Sequence, residues 1–179
     1  MQRAVVPVGT QADDTEAINQ YQVAYNLSAD SWCGFFGQNN NWYSGSNNTT
    51  YYLQDAWVAA TYKNSYTELL SSWKEIRQES EKTGSMEVFA LAQILKISAW
   101  HKTLETFGPI PYTHAGEPAL VIPFDSEKDA FNAMFADLTA AIEILTARAE
   151  QGATIVADYD AVYGLSLIHI SEPTRLLSI

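Results

Sequence analysis

Apolar residues recur with helical spacing along four stretches of the chain. These stretches cover residues 15–28, 55–82, 86–107 and 126–148. Asp13 and Asp14 favour the N-terminus of the first helix, and Thr83-Gly84 ends the second. No stretch alternates apolar and polar residues for long enough to demand a strand. The pattern therefore predicts an all-α chain.

The third and fourth helices have the clearest apolar faces. The third has one apolar stripe through Met86, Ala90, Gln93, Ile97, Trp100, Leu104 and Phe107, and a second through Val88, Leu91 and Leu95. A helix that is apolar on two sides is expected to lie between two neighbours. The fourth begins at Ser126 with Asp129 in a near capping box. Its predicted core face holds Phe131, Met134, Phe135, Leu138, Ile142 and Leu145. Together the helices predict a tetratricopeptide-like fold of paired antiparallel helices with long irregular loops.

A rigid connector joins the third helix to the fourth. Gly108 directly follows the helical pattern, which is a C-cap signal. Pro109 and Pro111, on either side of Ile110, cannot continue a helix and favour an extended chain. Connectors of this length are usually functional or are stabilised by packing against another part of the fold.

The segment from Asp30 to Gln54 is rich in Asn, Gly and Ser but also carries many rings. The rings are those of Trp32, Phe35, Phe36, Trp42, Tyr43, Tyr51 and Tyr52. Aromatic faces beside amide groups can form a recognition surface, whereas the alternative is that the rings pin the loop onto the helices. Trp42 and Tyr43 have polar neighbours on both sides, which favours recognition there. We interpret the Asn-x-Thr sequons at Asn47 and Asn48 as chance occurrences.

The charge and the single cysteine narrow the classes of function. The formal net charge is −11, which argues against nucleic acid or an anionic membrane as a partner. No run of 18 apolar residues is present that would indicate a membrane span. Cys33 is the only cysteine, which excludes an internal disulfide, and we expect it to be a buried small apolar residue.

The sequence contains no recognisable catalytic or metal-binding constellation. It has no His-x-x-x-His pair, no Cys/His cluster and no Gly-rich phosphate loop. Asp158-Tyr159-Asp160 lacks the glycine and the distal Glu of a calcium loop. We therefore predict a protein that is not an enzyme and that binds no metal and no cofactor.

The last fifteen residues differ in character from the rest. The string from Leu165 to Arg175 resembles the translation of a sequencing adapter, and the alternative is a natural short strand followed by a turn. We predict that residues 165–179 are a non-native tail and that residues 1–164 are an N-terminal fragment of a longer protein. Expressed alone, such a fragment is expected to be poorly soluble or loosely packed.

Several motifs, in their order and spacing, resemble one family. Ile94-Leu95-Lys96 and Ala99-Trp100 lead to the helix exit Phe107-Gly108-Pro109-Ile110-Pro111-Tyr112. The later motifs are Pro123-Phe124-Asp125, Phe135-Ala136-Asp137-Leu138 and Asp158-Tyr159-Asp160-Ala161-Val162-Tyr163-Gly164. Together they resemble the SusD/RagB family of outer-membrane lipoproteins of Bacteroidetes-type bacteria, in its SusD-like branch. Pro109 departs from the family, which usually has Asp there.

The resemblance implies a non-catalytic function. Such a protein binds oligosaccharide at the outer-membrane surface and delivers it to a SusC-like TonB-dependent transporter. Surface anchoring is implied by the family alone, because this sequence contains no signal peptide and no lipobox cysteine. In relatives some ligand contacts come from the region after the first helix, so the candidate ligand-binding residues are Asp30, Asn41, Trp42 and Tyr43. The alternative is a helical-repeat module that binds a protein or peptide and no sugar.

Overall fold

Five helices form the described part of the chain. The computed structural model describes residue 1, residue 5 and residues 21–152. The helices are the π-helical α1 (Gln22–Asp30), α2 (Asp55–Lys63), α3 (Leu70–Thr83), α4 (Met86–Phe107) and α5 (Glu127–Glu150). A π-helical segment, Asn64–Leu69, joins α2 to α3. In the described ranges no strand forms, and Ile110 and Asp125 make one isolated antiparallel bridge. The predicted all-α class is confirmed.

The helix ends follow the capping signals in the sequence. α3 ends at Gly84, whose φ of 75° is left-handed, and α4 begins two residues later. Ser126 caps α5, because its hydroxyl oxygen accepts a hydrogen bond of 3.2 Å from the N–H of Asp129. The bounds predicted for α4 are confirmed, and those for α5 hold within two residues. Residues 15–20 of the first predicted helix lie outside the described residues.

α4 occupies the centre of the core. It packs against α3 on one side and α5 on the other, so the prediction that it lies between two neighbours is confirmed. Trp100 and Leu104 are almost fully buried, and the indole N–H of Trp100 donates to the carbonyl oxygen of Ser65 at 3.1 Å. The ring of Tyr66 lies 4.3 Å from that of Trp100. The core therefore joins α4 to the π-helical segment through both packing and a hydrogen bond.

Four residues predicted to lie on core faces are exposed instead. Met86, Val88 and Phe107 lie in the end turns of α4, where little of the fold covers them. Phe135 of α5 is 64% exposed, because the buried stripe of that helix passes through its neighbour Met134. The side chains buried along α5 are those of Ala130, Met134, Ala141 and Leu145. Small alanines on this stripe allow α5 to approach α4 closely.

Among the described helices, α5 alone is long and apolar enough to cross a membrane, judged by length and composition. Core helices of water-soluble folds meet the same two criteria. Met134 and Leu145 of α5 are buried within this fold. Only 22% of its most apolar stretch of 18 residues is buried, so packing against α4 accounts for only part of its apolar character.

The connector between α4 and α5 folds back on itself around one carboxylate. Asp125 accepts hydrogen bonds from the backbone N–H of Tyr112 at 2.7 Å, and from the N–H and hydroxyl of Thr113 at 2.7 and 2.6 Å. Burial alone would raise the pKa of Asp125, but these hydrogen bonds hold it below its usual value. Ile110 and Tyr112 are buried in the core. The connector is thus stabilised by packing, one of the two outcomes expected from its length.

Candidate functional site

The loop between α1 and α2 is organised around a buried amide. Asn47 is fully buried, and its side-chain N–H₂ donates to the side-chain oxygen of Gln38 and to the carbonyl oxygen of Trp42, both at 2.9 Å. Its side-chain oxygen accepts from the N–H of Thr49 at 3.0 Å. A buried amide with these three partners acts as a polar core for a loop that has little apolar interior.

The neighbouring Asn48 ties the same loop to two helices. Its N–H₂ group donates to the carbonyl oxygen of Leu27 in α1, and its oxygen accepts from the N–H of Gln54, which precedes α2. Asn47 and Asn48 are the two residues whose sequons we interpreted as chance, and sequence reasoning missed their structural role. Their position in a Ser-Asn-Asn-Thr run could have indicated this role, because Asn side chains commonly stabilise turns.

Three rings form a cluster, which we call the aromatic ridge: the exposed Trp42 and Tyr43 of this loop and the half-buried Trp57 of α2. The indoles of Trp42 and Trp57 stack with centroids 5.2 Å apart and planes 19° apart. Tyr43 meets Trp42 at 5.1 Å and Trp57 at 5.4 Å, edge-on in both contacts. Trp42 is 39% exposed and Tyr43 is 55% exposed. The ridge therefore presents flat apolar surface to solvent.

The backbone of the ridge is held in an uncommon conformation. Tyr43 and Ser44 both have a φ of 52°, in the left-handed region. Residues other than glycine occupy this region at a cost of about 1–3 kcal/mol and remain there when the surroundings fix them. The hydrogen bond from Asn47 to the carbonyl of Trp42 contributes to fixing this turn.

Other rings of the loop are also exposed. Phe35 is 80% exposed, and Phe36, Tyr51 and Tyr52 are exposed as well. Buried amides hold the loop, and among the described residues Phe35, Phe36 and Tyr52 make no ring contact. Tyr51 contacts Trp32, just after α1, with ring centroids 5.4 Å apart, and Trp42 and Tyr43 contact Trp57 of α2, as the alternative interpretation expects. Cys33 is exposed too, so the expectation that it is buried is wrong. Its position in the turn after α1 leaves it outside the core.

The four candidate residues are placed in two separate regions. Asn41, Trp42 and Tyr43 are adjacent and exposed. Trp42 also borders a cavity of about 390 Å³, whose polar lining includes Asn26, Gln38, Asn39 and Asn40. Asp30 accepts a hydrogen bond from Asn26 at 2.7 Å and lines a different cavity, of about 600 Å³.

Trp57 was not a predicted site residue, because it lies in α2, fifteen positions beyond Trp42. Stacked ring faces beside amide donors and acceptors suit a ligand that is flat and polar, such as a sugar ring. In the described part of the chain, no group of three His, Cys, Asp or Glu side chains could hold a metal ion. The weak calcium candidate Asp158-Tyr159-Asp160 lies outside the described residues.

The chain is similar to one protein family and to several solved structures. The family model described as "Susd and RagB outer membrane lipoprotein" matches residues 1–169. The chain is similar to a chitin-binding SusD homologue from Flavobacterium johnsoniae, with 29% identity over 93% of this chain and 33% of that one, and a TM-score of 0.75. A SusD homologue from Bacteroides uniformis is 28% identical over 83% and 30% of the two chains, with a TM-score of 0.70.

A SusD-like protein from Bacteroides thetaiotaomicron shares the fold, with a TM-score of 0.75 at 20% identity. The chain spans about a third of the length of these solved structures. No curated protein matches it in sequence. The non-native tail proposed for residues 165–179 lies outside the described residues and stays a prediction.

Proposed function

Because this chain belongs to the SusD-like family of outer membrane lipoproteins, as its motifs predicted, we propose that it is part of a non-catalytic carbohydrate-binding protein. The observation that carries the proposal is the aromatic ridge, in which Trp42 stacks on Trp57 beside the amide-rich loop. Sugar rings expose axial C–H faces that pack on indole, and their hydroxyls bond to amides. Asn41, Trp42, Tyr43 and Trp57 are the proposed contact residues.

Chitin oligosaccharides are the first ligands to test. A relative with 29% identity is a chitin-binding protein, and N-acetylglucosamine offers both a ring face and an amide for recognition. Asp30 lines a different cavity from Trp42, so we propose only a secondary contribution from it. Turnover of the oligosaccharide is not expected, because the ridge lacks a nucleophile and a base.

The test is calorimetric titration of the full chain with chitohexaose. Trp42→Ala and Trp57→Ala each remove one face of the stack, and we expect each to weaken binding about tenfold or more. Phe35→Ala is the matched control, since it removes an exposed ring of the same loop that makes no ring contact with the ridge among the described residues. Circular dichroism of each variant separates loss of binding from loss of fold.

Two results would contradict the proposal. If Trp42→Ala, Trp57→Ala and Phe35→Ala all bound chitohexaose as tightly as the unmodified chain does, the ridge would not be part of the ligand site. Binding of peptides, with no binding of any oligosaccharide tested, would favour the alternative of a helical-repeat interaction module.

Delivery to a SusC-like TonB-dependent transporter at the cell surface is the second part of the proposal. It is supported by membership of an outer membrane lipoprotein family. The measurement is affinity purification of the complete gene product from its own membranes. We expect a large outer-membrane barrel to co-purify. Its absence after mild extraction and crosslinking would contradict the partnership.

A further inference from the structure

A buried lysine in α4 is surrounded by aromatic rings and, within the described residues, forms no ion pair. Lys96 is only 3% exposed, and its ammonium lies 4.1 Å from the ring centroid of Trp73, 4.7 Å from that of Trp100 and 4.3 Å from that of Tyr112. Among the described residues it makes no hydrogen bond and no ion pair. Cation–π contacts offset part of the cost of burying a charge, but they do not replace the hydrogen bonds that water gives an ammonium group.

The nearest carboxylate is occupied by other donors. Asp137 of α5 accepts hydrogen bonds from the hydroxyl of Tyr112 at 2.7 Å and from the side-chain amide of Gln93 at 2.6 Å. Burial lowers the pKa of Lys96 to about 8, Asp137 raises it in part, and the like charge of Arg77 lowers it further. The charged form of Lys96 is therefore incompletely compensated by the groups around it.

Lys96 lines a cavity large enough for a small molecule. The cavity measures about 610 Å³, lies between α3, α4, α5 and the connector, and is open to solvent on one side. Small-molecule sites usually measure about 300–1,000 Å³. Trp73, Phe89 and Tyr112 supply aromatic walls, and Gln93 supplies an amide.

The cavity is lined by equal numbers of cationic and acidic side chains, and not all of the cations are paired. Lys74, Arg77 and Lys96 line the cavity together with Glu81, Glu117 and Asp137. Glu81 pairs with Arg77 at 3.0 Å, and Glu117 pairs with His114 at 2.9 Å. Within the described residues, Lys74 and Lys96 are the lining cations that form no ion pair. Lys96 is therefore, among the described residues, the lining cation that is both buried and without an ion pair.

We propose that this cavity binds the carboxylate of a small organic acid, with the ammonium of Lys96 as its counter-charge. The ring faces of Trp73 and Phe89 would cover the apolar part of the ligand, and Lys74 adds a second positive charge. None of the aromatic-ridge residues lines this cavity, so the inference does not rest on the proposed carbohydrate function.

The first test observes the lysine directly in the unmodified full chain. Lysine labelled with ¹³C at Cε is followed by NMR, and D-glucuronate is titrated against D-glucose, which has the same ring without the carboxylate. We expect saturating glucuronate to raise the pKa of Lys96 by about one unit or more, as a nearby opposite charge does, and glucose to leave it unchanged. No response of the Lys96 signal to glucuronate, or an equal response to glucose, would overturn the proposal.

The second test uses variants. Lys96→Met keeps the length of the side chain and removes the charge, and it also assigns the Lys96 signal. We expect it to weaken glucuronate binding by about ten- to a hundredfold. Lys82→Met is the matched control, because Lys82 is exposed, pairs with Glu79 and does not line the cavity. Unchanged binding by Lys96→Met would overturn the proposal. If that variant does not fold, Lys→Arg variants of the other five lysines assign the Lys96 signal by elimination, and the titration of the unmodified chain then decides.

Discussion

At the residue scale, single polar side chains hold the irregular parts of this protein. Asn47 and Asn48 organise the loop after α1, and Asp125 fixes the connector after α4. Each of these side chains bonds to backbone groups that would otherwise need water. The loops therefore owe much of their shape to a few hydrogen-bonding groups, to which the connector adds the burial of Ile110 and Tyr112.

Replacing the connector carboxylate should destabilise the fold in a pH-dependent way. Asp125→Asn keeps one oxygen for the two backbone N–H groups but removes the charge that strengthens these hydrogen bonds, and we expect a loss of about 1–2 kcal/mol in the free energy of unfolding at neutral pH. Because the pKa of Asp125 is lowered in the fold, its contribution is present above the unfolded pKa and is lost as pH falls through the folded value. Urea unfolding at neutral and acidic pH measures both effects.

Glu143→Gln serves as the control for this experiment, because Glu143 is an exposed acid on α5. It should change the stability by less than about 0.5 kcal/mol. An Asp125→Asn deficit of equal size at neutral and strongly acidic pH would show that the carboxylate charge is not its source.

The buried Lys96 predicts a change in the free energy of unfolding at alkaline pH. The pKa of Lys96 is about 8 in the fold, against an ordinary value of 10.5, so between these values the unfolded chain binds more protons. The free energy of unfolding should therefore rise as pH increases from about 8 towards 10. Above about pH 10 the raised pKa values of Tyr66 and Tyr112 act in the opposite direction, because those hydroxyls ionise first in the unfolded chain.

Urea midpoints measured across this interval test the effect, with Lys96→Met as the comparison. The variant should lack the rise, because it has no ammonium to deprotonate. A parallel rise in both proteins would assign the effect to other groups.

At the scale of elements, the sequence predicts helices better than it predicts their contacts. Gly84 and Gly108 bracket α4 in the sequence as they do in the structure, because both signals are local. The stack of Trp42 on Trp57 depends on how the loop returns to α2, which no local pattern encodes. The burial of Lys96 could have been predicted from the sequence. A lysine in a helix that is apolar on two sides can place its ammonium group in little solvent.

The two glycines that bracket α4 should differ in their tolerance of alanine. Gly84 has a φ of 75° with open space where a Cβ would lie, so Gly84→Ala should cost about 1 kcal/mol. Gly108 combines φ 75° with ψ −133°, a region that other residues rarely occupy, and a Cβ there would lie 3.1 Å from a carboxylate oxygen of Glu127. We expect Gly108→Ala to cost about 2–3 kcal/mol.

Chemical unfolding of the two variants side by side measures the difference. If Gly84→Ala were more destabilising than Gly108→Ala, the connector would have to adjust easily to a side chain at residue 108.

At the scale of the whole molecule, considerable apolar surface is exposed. Leu120, Val121 and Phe124 of the connector are exposed, and so is Phe135 of α5. The chain spans about a third of the length of its structural relatives, which contain much more protein that can cover such side chains. The net charge of −11 opposes association, and the exposed apolar side chains favour it.

We therefore expect the 179-residue chain to self-associate or to bind hydrophobic dyes when it is expressed alone. Raising the salt concentration should increase association, because it screens the acidic charge. Leu120→Glu should reduce the associated fraction in sedimentation velocity, whereas Leu53→Glu, at an exposed position in the other loop, should reduce it less. A monomer with a sharp two-state thermal transition would show this expectation to be wrong.

The buried amides also bear on the choice of expression host. In a eukaryotic secretory pathway, the Asn-x-Thr sites at Asn47 and Asn48 would meet the glycosylation machinery before the chain has folded. A glycan on either nitrogen would compete with the hydrogen bonds to Gln38, Trp42 or Leu27 and has no room in a buried position. Protein made in such a host would carry a disordered loop and a misplaced Trp42, so bacterial expression is the appropriate route for any binding study.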